Sequence, residues 1–349
     1  MGVKGLHKAT AVSFERAHLQ RFAGMKVACD ASSWLVKGGA RHARDIYTCP
    51  DYDKNPWTEY AVHMVDLLKE HNIHPIIVFD GERHPLKQET SNARKASKVQ
   101  ARKDAERAES EGDVSRAISK WMQAFELTDD MVEHARQTLE GMGVECVQAK
   151  CEADQTMASM SLGKGAQHVD LIITEDSDMI AYSCPNVLFK LGHDGHGDLL
   201  QVTPDDRRSD DGHGDDGHGD DALTYPPKKR TRIDVDVRTL SDIQRALLCT
   251  FSGNDYISNV QRGWAVKKVY DVIRTCHSLD DAVDAFQKRG VSVSSEYKDR
   301  ARQCIRNFLC PQHISQVDMA PDPKNNSSLS HGVENVENVE IVEIVEIVV

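Results

Sequence analysis

The feature that most constrains this chain is a short apolar run followed at once by carboxylates. Residues 171–174 read Leu-Ile-Ile-Thr, and Glu175, Asp176 and Asp178 follow directly. Such a run is typical of a buried strand in a parallel sheet, and these sheets bind ligands at the carboxyl ends of their strands. Carboxylates that crowd there repel one another unless a cation lies between them. The alternative is a solvated acidic turn, and one cluster does not decide between the two.

Two other segments predict strands that end in an aspartate. Residues 26–30 end in Asp30, and residues 75–81, Pro-Ile-Ile-Val-Phe-Asp-Gly, contain Asp80 at the end of their apolar run. Apolar residues at helical spacing over 55–71 predict a helix between the two strands. Strands joined through a helix indicate a right-handed crossover in a parallel sheet. The predicted fold class is therefore α/β, with a mainly parallel twisted sheet flanked by helices.

Seven carboxylates are candidates for one metal centre at the carboxyl edge of this sheet. They are Asp30, Asp80, Glu152, Asp154, Asp176, Asp178 and Asp255. Each of them alone is explained as a helix cap, a turn residue or a surface charge. Several strands that deliver carboxylates to one edge are better explained by two divalent ions that serve phosphodiester hydrolysis. An all-oxygen ligand set favours Mg²⁺, with Mn²⁺ as a substitute, over zinc.

The formal net charge of −12 is concentrated in two segments outside the predicted core. Residues 194–221 hold ten Asp against two Arg, and residues 322–349 hold one Asp and five Glu against one Lys. The rest of the chain is close to neutral and can present a basic surface. One such surface is the segment 83–107, with eight Lys or Arg against three acidic residues. This segment predicts either a solvated helix face or a helix that contacts phosphates.

Composition also bears on the cellular compartment. Nine cysteines occur without a C-x-x-C pair, which indicates reduced thiols, and no apolar run reaches membrane-spanning length. We therefore expect a soluble protein without a membrane partner. The Asp-Gly-His-Gly-Asp repeats over 210–221 predict a mobile linker rather than a metal site. The basic cluster 226–232 is similar to a nuclear-import signal, so we expect the nucleus.

The carboxylate motifs resemble those of the FEN/XPG family of structure-specific 5′ nucleases, and within it the exonuclease 1 branch. The matching segments are residues 1–6, 30–38 with its Trp-Leu-x-Lys-Gly, 75–81, 152–154, 173–178 and 252–256. The resemblance extends from residue 1 to about residue 320, interrupted by the acidic repeats. It implies a PIN-like 5′ nuclease fold with a helical arch and a helix–two-turn–helix module that binds DNA.

The resemblance also implies a division of the chain. The expected regions are an N-terminal nuclease region at 1–100, a helical arch at 83–130, an internal nuclease region at 131–235, a helix–two-turn–helix region at 236–320 and a low-complexity tail at 321–349. Within the internal region, an acidic Gly/His/Asp insertion is expected at 194–232. We expect neither chemistry nor a packed structure in the tail.

Residue by residue, the resemblance implies specific roles. Asp30, Asp80, Glu152 and Asp154 would bind one side of a metal pair, and Asp176, Asp178 and Asp255 the other. Lys87 and Arg94 of the arch would act on the scissile phosphate as catalytic residues. Gly2, Lys37, Lys98, Lys267 and Lys268 would contact DNA. Lys98 stands where arginine is usual in the exonuclease 1 branch, and lysine loses the bidentate geometry for phosphate.

The chain departs from the family pattern after Asp255. A Gly-x-Gly hairpin that offers backbone groups to phosphates and to a potassium ion is replaced by Arg262, Gly263 and Trp264. Asn259 stands where another serine of that ion site is usual, although Ser252 is kept. We therefore expect duplex binding to persist and regard potassium binding as open.

The implied activity is Mg²⁺-dependent 5′→3′ exonuclease action on double-stranded DNA, with 5′-flap endonuclease activity, in repair or recombination. The expected partners are duplexes with 5′ ends, nicks or flaps, bound by a monomer; no motif identifies mismatch-repair or replication proteins. One alternative is a replication-type flap endonuclease, although the tail has no Gln-x-x-Leu-x-x-Phe-Phe clamp-binding motif. Another is a weakly catalytic DNA-binding paralogue, which the altered hairpin favours.

Overall fold

The structure is a computed structural model that describes residues 2–49, 51–52, 54–82, 84–163, 166–202 and 235–311. Seven strands form a single sheet in the order β1-β7-β6-β5-β2-β3-β4. The strands are β1 Phe14–His18, β2 Lys26–Asp30, β3 His74–Phe79, β4 Glu145–Gln148, β5 Leu171–Thr174, β6 Asn186–Phe189 and β7 His196–Gln201. The α-helices of the described residues are α1 Leu6–Ala9, α2 Ala31–Ala40, α3 Ala43–Thr48, α4 Pro56–Glu70, α5 Gln88–Ser110, α6 Val114–Ala124, α7 Asp129–Gly141, α8 Ala153–Leu162, α9 Asp242–Ser252, α10 Val266–Ile273, α11 Leu279–Gln287 and α12 Ser295–Leu309.

Strand β2 lies at the centre of the sheet and sets the alignment of its neighbours. It pairs in parallel with β3 on one side and β5 on the other, and Cys29 lies opposite both Ile77 and Ile173. Strands β4 and β6 extend the parallel pairing, while β7 and β1 add an antiparallel edge. The predicted α/β fold with a mainly parallel sheet is therefore confirmed. The carboxyl ends of β2, β3 and β5 lie side by side.

The sheet is covered on both faces, because the central strands bury side chains in alternation. In β5, Ile172 lies in one apolar cluster, whereas Leu171 and Ile173 lie in the cluster on the other face. The first cluster includes residues of α8 and α9, and the second includes residues of α2, α4 and α7. A strand buried on both faces needs apolar residues throughout, which explains the uninterrupted run that precedes Glu175.

The predicted strands at 26–30 and 75–81 are β2 and β3, and the predicted helix at 55–71 is α4. The acidic insertion predicted at 194–232 needs a correction at its start. Residues His196–Gln201 form β7, which pairs with β1 and β6 and buries Leu199 and Leu200. Asp198 therefore belongs to a partly buried strand that lies between the edge strand β1 and β6. The predicted insertion from residue 203 onward, which includes the basic cluster 226–232, and the tail 321–349 lie outside the described residues.

The region predicted as a helical arch consists of two antiparallel helices, α5 and α6. Alanines line their contact: Ala101, Ala105 and Ala108 of α5 are buried together with Ala117 and Trp121 of α6. Small side chains let the two helix backbones approach closely, and a turn at Gly112, with φ +76°, reverses the chain. In the described part of the chain, no helix combines the length and apolar character needed to cross a membrane.

Candidate metal centre and nucleic-acid interface

Three buried aspartates form the tightest acidic group at the carboxyl edge of the sheet. Asp176 and Asp178 follow β5, and Asp255 lies in the loop after α9. One carboxylate oxygen from each lies within 4.8 Å of the others. The backbone fixes this geometry: the Asp178 N–H donates to Asp176 Oδ1 at 3.0 Å, and the Val3 N–H donates to Asp178 Oδ1 at 2.8 Å. The structure thus brings these three predicted residues together.

The other four predicted carboxylates come from the neighbouring strands and from α8. Asp30 closes β2, and its side chain accepts the Ser32 N–H at 3.0 Å. Asp80, directly after β3, accepts the Ala153 N–H at 2.9 Å and the Ser32 hydroxyl at 2.6 Å. Glu152 is the N-cap of α8 and Asp154 lies in its first turn. The hydrogen bonds of Asp80 therefore join the end of β3 to the beginning of α8.

Charges of one group of carboxylates raise pKa values in the other, as expected for residues that lie close together. Burial raises the pKa of Asp30 to about 7, and the charges of Asp80 and Asp176 contribute to the rise. The pKa of Asp154 is also raised, first by burial and then by Asp176 and Asp30. The pKa of Asp178 is raised by burial, Asp176 and Asp255. Divalent cations with oxygen ligands are the usual partners of such an excess of buried negative charge, so these residues fit a metal centre.

Gly2 lies directly against this acidic group. Its backbone has φ +82°, and a Cβ atom at this position would lie 2.1 Å from Asp176 Oδ1 and 2.7 Å from Asp178 Oδ1. Any side chain here would displace the carboxylates, and the backbone conformation also favours glycine. Glycine at position 2 therefore keeps the space around the acidic group open.

Two cations at the base of α5 contact the carboxylates, one in each group. Lys87 Nζ lies 2.6 Å from Glu152 Oε2 and 4.7 Å from the centre of the Tyr256 ring. Burial opposes the charge of Lys87, but Glu152 and Asp154 outweigh it, so the pKa of this lysine is raised. Arg94 lies 2.5 Å from Asp255 Oδ1. The predicted catalytic pair is thus brought to the acidic centre, with its charge retained.

The remaining lysines predicted to contact DNA lie on three helices. Lys37 of α2 pairs with Glu175 at 2.5 Å, which holds a lysine beside the end of β5. Lys98 follows Arg94 by one helical turn on α5. Lys267 and Lys268 lie in the first turn of α10, at the far end of the loop that carries Asp255. The structure therefore distributes the predicted cations over α2, α5 and α10.

Sequence reasoning missed the residues that fix the base of α5 to the C-terminal helices. Arg300 of α12 lies 3.3 Å from Glu89 Oε2 and also donates to the Tyr256 carbonyl at 3.2 Å. The Thr90 hydroxyl donates to the Asp255 carbonyl at 3.0 Å. The Thr90–Asp255 and Glu89–Arg300 contacts join residues 165 and 211 positions apart, and no local pattern in the sequence signals them.

The comparisons with known proteins place this chain among related sequences. A model of the XPG N-terminal domain matches residues 1–101, and a model of the XPG I-region matches residues 143–254. Exonuclease 1 of Arabidopsis thaliana is 28% identical over 308 residues, which are 88% of this chain and 38% of that protein. The chain thus spans about two fifths of the length of the curated relatives it matches.

Solved structures with the same architecture include the catalytic core of Rad2 in complex with DNA substrate. Its TM-score is 0.56 at 16% identity, over 89% of this chain and 86% of that chain. A eukaryotic junction-resolving enzyme, GEN-1, described as binding potassium, has a TM-score of 0.52 at 15% identity, over 91% and 68% of the two chains. At these identities the similarity shows the fold. The two matching family models and the exonuclease 1 relatives show that the chain belongs to the FEN/XPG family of structure-specific 5′ nucleases.

Proposed function

We propose that this protein is a Mg²⁺-dependent 5′ nuclease that degrades double-stranded DNA in the 5′→3′ direction and cleaves 5′ flaps. The observation that carries the proposal is the convergence of seven carboxylates with Lys87 and Arg94 at one sheet edge. The similarity to exonuclease 1 proteins supports the exonuclease assignment. A role in DNA repair or recombination and a nuclear location belong to the same proposal.

The chain's own residues define how such a site would work. Asp176, Asp178 and Asp255 would hold one Mg²⁺, and the group around Asp30 and Asp154 would hold a second. Bound there, the metal would supply a nucleophilic water at neutral pH and stabilise the charge on the leaving oxygen. Oxygen ligands without His or Cys suit Mg²⁺, and Mn²⁺ would substitute.

Lys87 and Arg94 have a separate role in this proposal. Each side chain pairs with a carboxylate of the centre, at 2.6 Å and 2.5 Å, and each is a cation at physiological pH. A metal that neutralises these carboxylates would allow both cations to contact the scissile phosphate instead. Two cations on one phosphate stabilise the negative charge that develops during hydrolysis.

The duplex would be bound by cations that lie apart from the metal centre. Lys37, Lys98, Lys267 and Lys268 are positioned on three helices, and contacts of this kind depend on phosphate charge and not on base sequence. The Rad2 core, described with a DNA substrate, shares this architecture. Potassium is left out of the proposal, because the Asn259 amide already donates to the Ser252 and Trp264 carbonyls.

The test is cleavage of two labelled DNA substrates by purified protein in Mg²⁺: a 5′-recessed duplex and a 5′-flap. Cleavage of both is expected, with stepwise loss of nucleotides from the recessed 5′ end. Asp176→Ala should abolish cleavage, while Asp280→Ala, which removes an exposed carboxylate on α11, should leave it unchanged. Cleavage of the flap alone would instead support a flap endonuclease. Duplex binding without cleavage would support a weakly catalytic paralogue.

A further inference from the structure

The loop between α9 and α10, residues 253–265, is closed by the side chain of Asn259. Its amide nitrogen donates to the Ser252 carbonyl at 2.8 Å and to the Trp264 carbonyl at 2.8 Å. Its amide oxygen accepts the Gln261 N–H at 3.0 Å. Both amide hydrogens are used, and one side chain joins the end of α9 to the residue before the N-cap of α10.

The surrounding loop is shaped to receive this side chain. Gly253 has φ +83°, and a Cβ there would lie 2.5 Å from the backbone nitrogen of Asn259 and 3.1 Å from its Cβ. The Val260 N–H donates to the Phe251 carbonyl at 3.1 Å, and the Trp264 ring packs 5.5 Å from that of Phe286. Asn259 is therefore held close to the carbonyls on both sides of the loop.

Two carbonyl oxygens that converge on one point need a positive partner. The Ser252 carbonyl lies at the C-terminal end of α9, where unsatisfied carbonyls carry partial negative charge. A monovalent cation or an N–H donor can satisfy such oxygens. In this loop both accept from the Asn259 amide group, whose partial positive charge occupies the position that a cation would need.

We propose that Asn259 replaces a monovalent cation as the group that closes this loop, so that the loop keeps its structure without potassium. Asn259 is a positioning residue: it sets the beginning of α10, with Lys267 and Lys268, relative to α9. As a consequence, duplex binding should not depend on potassium. This consequence rests on the proposed function. The consequence for the loop itself holds whether or not DNA is bound.

Ser252 Oγ makes the inference testable. This hydroxyl is buried and has no hydrogen-bond partner among the described residues, so it remains available as a cation ligand beside the two carbonyls. Asn259→Asp keeps the shape and the oxygen that accepts the Gln261 N–H, but it places a carboxylate oxygen against both carbonyls. That variant should acquire a need for a cation, which Ser252 Oγ would help to bind.

The experiment compares thermal unfolding in KCl, NaCl and choline chloride at one ionic strength, without DNA. The wild-type Tm should be the same in all three salts. Asn259→Asp should unfold at a lower temperature in choline and recover in K⁺ or Na⁺, and Asn259→Ser should behave in the same way. Gln261→Glu, which makes the same change of charge at an exposed side chain of the loop, should show no cation effect.

Duplex binding in Mg²⁺-free buffer with the same salts gives a second measurement. The wild-type Kd should not distinguish K⁺ from choline, whereas Asn259→Asp should bind about tenfold more weakly in choline than in K⁺. A wild-type Tm that rises in K⁺ by as much as that of Asn259→Asp would overturn the inference. Absence of duplex binding by every variant, with the expected pattern in Tm, would refute the proposed function and leave the inference in place.

Discussion

Asp30→Asn should stabilise the metal-free protein at alkaline pH while removing nuclease activity. Asp30 is 5% exposed, and burial together with Asp80 and Asp176 raises its pKa to about 7 from the ordinary value of 3.8. The ionised form is therefore much less stable in the folded protein than in the unfolded chain. Asparagine keeps the oxygen that accepts the Ser32 N–H and has no charge to bury.

The size of the effect follows from the shift. A rise of about three in the pKa of Asp30 corresponds to a loss of roughly 4 kcal/mol in the free energy of unfolding at pH values above 7. The neighbouring carboxylates share this repulsion, so we expect a gain of about 1–4 kcal/mol for the variant at pH 8.

The pH dependence has a definite sign. Between about pH 4 and pH 7 the folded state binds more protons at Asp30 than the unfolded state, so stability falls as the pH rises. The free energy of unfolding, measured with urea in EDTA, should therefore decrease from pH 5 to pH 8 in the wild type. In Asp30→Asn the decrease should be smaller.

Added Mg²⁺ should restore the stability of the wild type at pH 8, because it binds the folded state. Asp280→Asn, at an exposed carboxylate, serves as the control and should follow the wild type. If the free energy of unfolding fell equally steeply with pH in the wild type and in Asp30→Asn, the buried charge of Asp30 would not destabilise the metal-free protein.

Three further predictions concern the surroundings of the centre. Lys87→Ala and Arg94→Ala should slow single-turnover cleavage about a hundredfold or more and change the duplex Kd much less; equal losses in both would show that α5 supplies only non-specific charge. Gly2→Ala should weaken Mg²⁺ binding, measured by calorimetry, because its Cβ would lie 2.1 Å from Asp176 Oδ1; unchanged affinity would contradict this contact. Arg300→Ala should increase hydrogen exchange at the beginning of α5, and unaltered exchange would show that the link to Glu89 and Tyr256 carries no stability.

The sheet centre and the acidic edge could be predicted because local patterns specify them. An apolar run closed by an aspartate is typical of a buried parallel strand, and this pattern located β2, β3 and β5 together with Asp30, Asp80 and Asp176. The antiparallel edge was missed because its strands are only half apolar. In β7 the sequence His-Gly-Asp-Leu-Leu-Gln reads as part of an acidic repeat until its pairing with β1 and β6 is known.

The contacts between α5 and the C-terminal helices could not be predicted for a different reason. Arg300 and Glu89 lie 211 positions apart, and each reads as an ordinary surface charge in its own helix. The contacts of Asn259 could not be predicted either. The resemblance to the family indicates only that an asparagine stands where a serine is usual. That its amide bridges two carbonyls depends on the path of the loop, which Gly253 and Trp264 set from either side.

The metal centre is tested most directly by measuring cleavage and duplex binding together for Asp176→Ala. With Mg²⁺ and a 5′-recessed duplex, this variant should lose cleavage. Its duplex Kd should remain close to that of the wild type, because the metal centre and the cations of α2, α5 and α10 use different residues. Undiminished cleavage by Asp176→Ala would contradict the assignment of the metal centre.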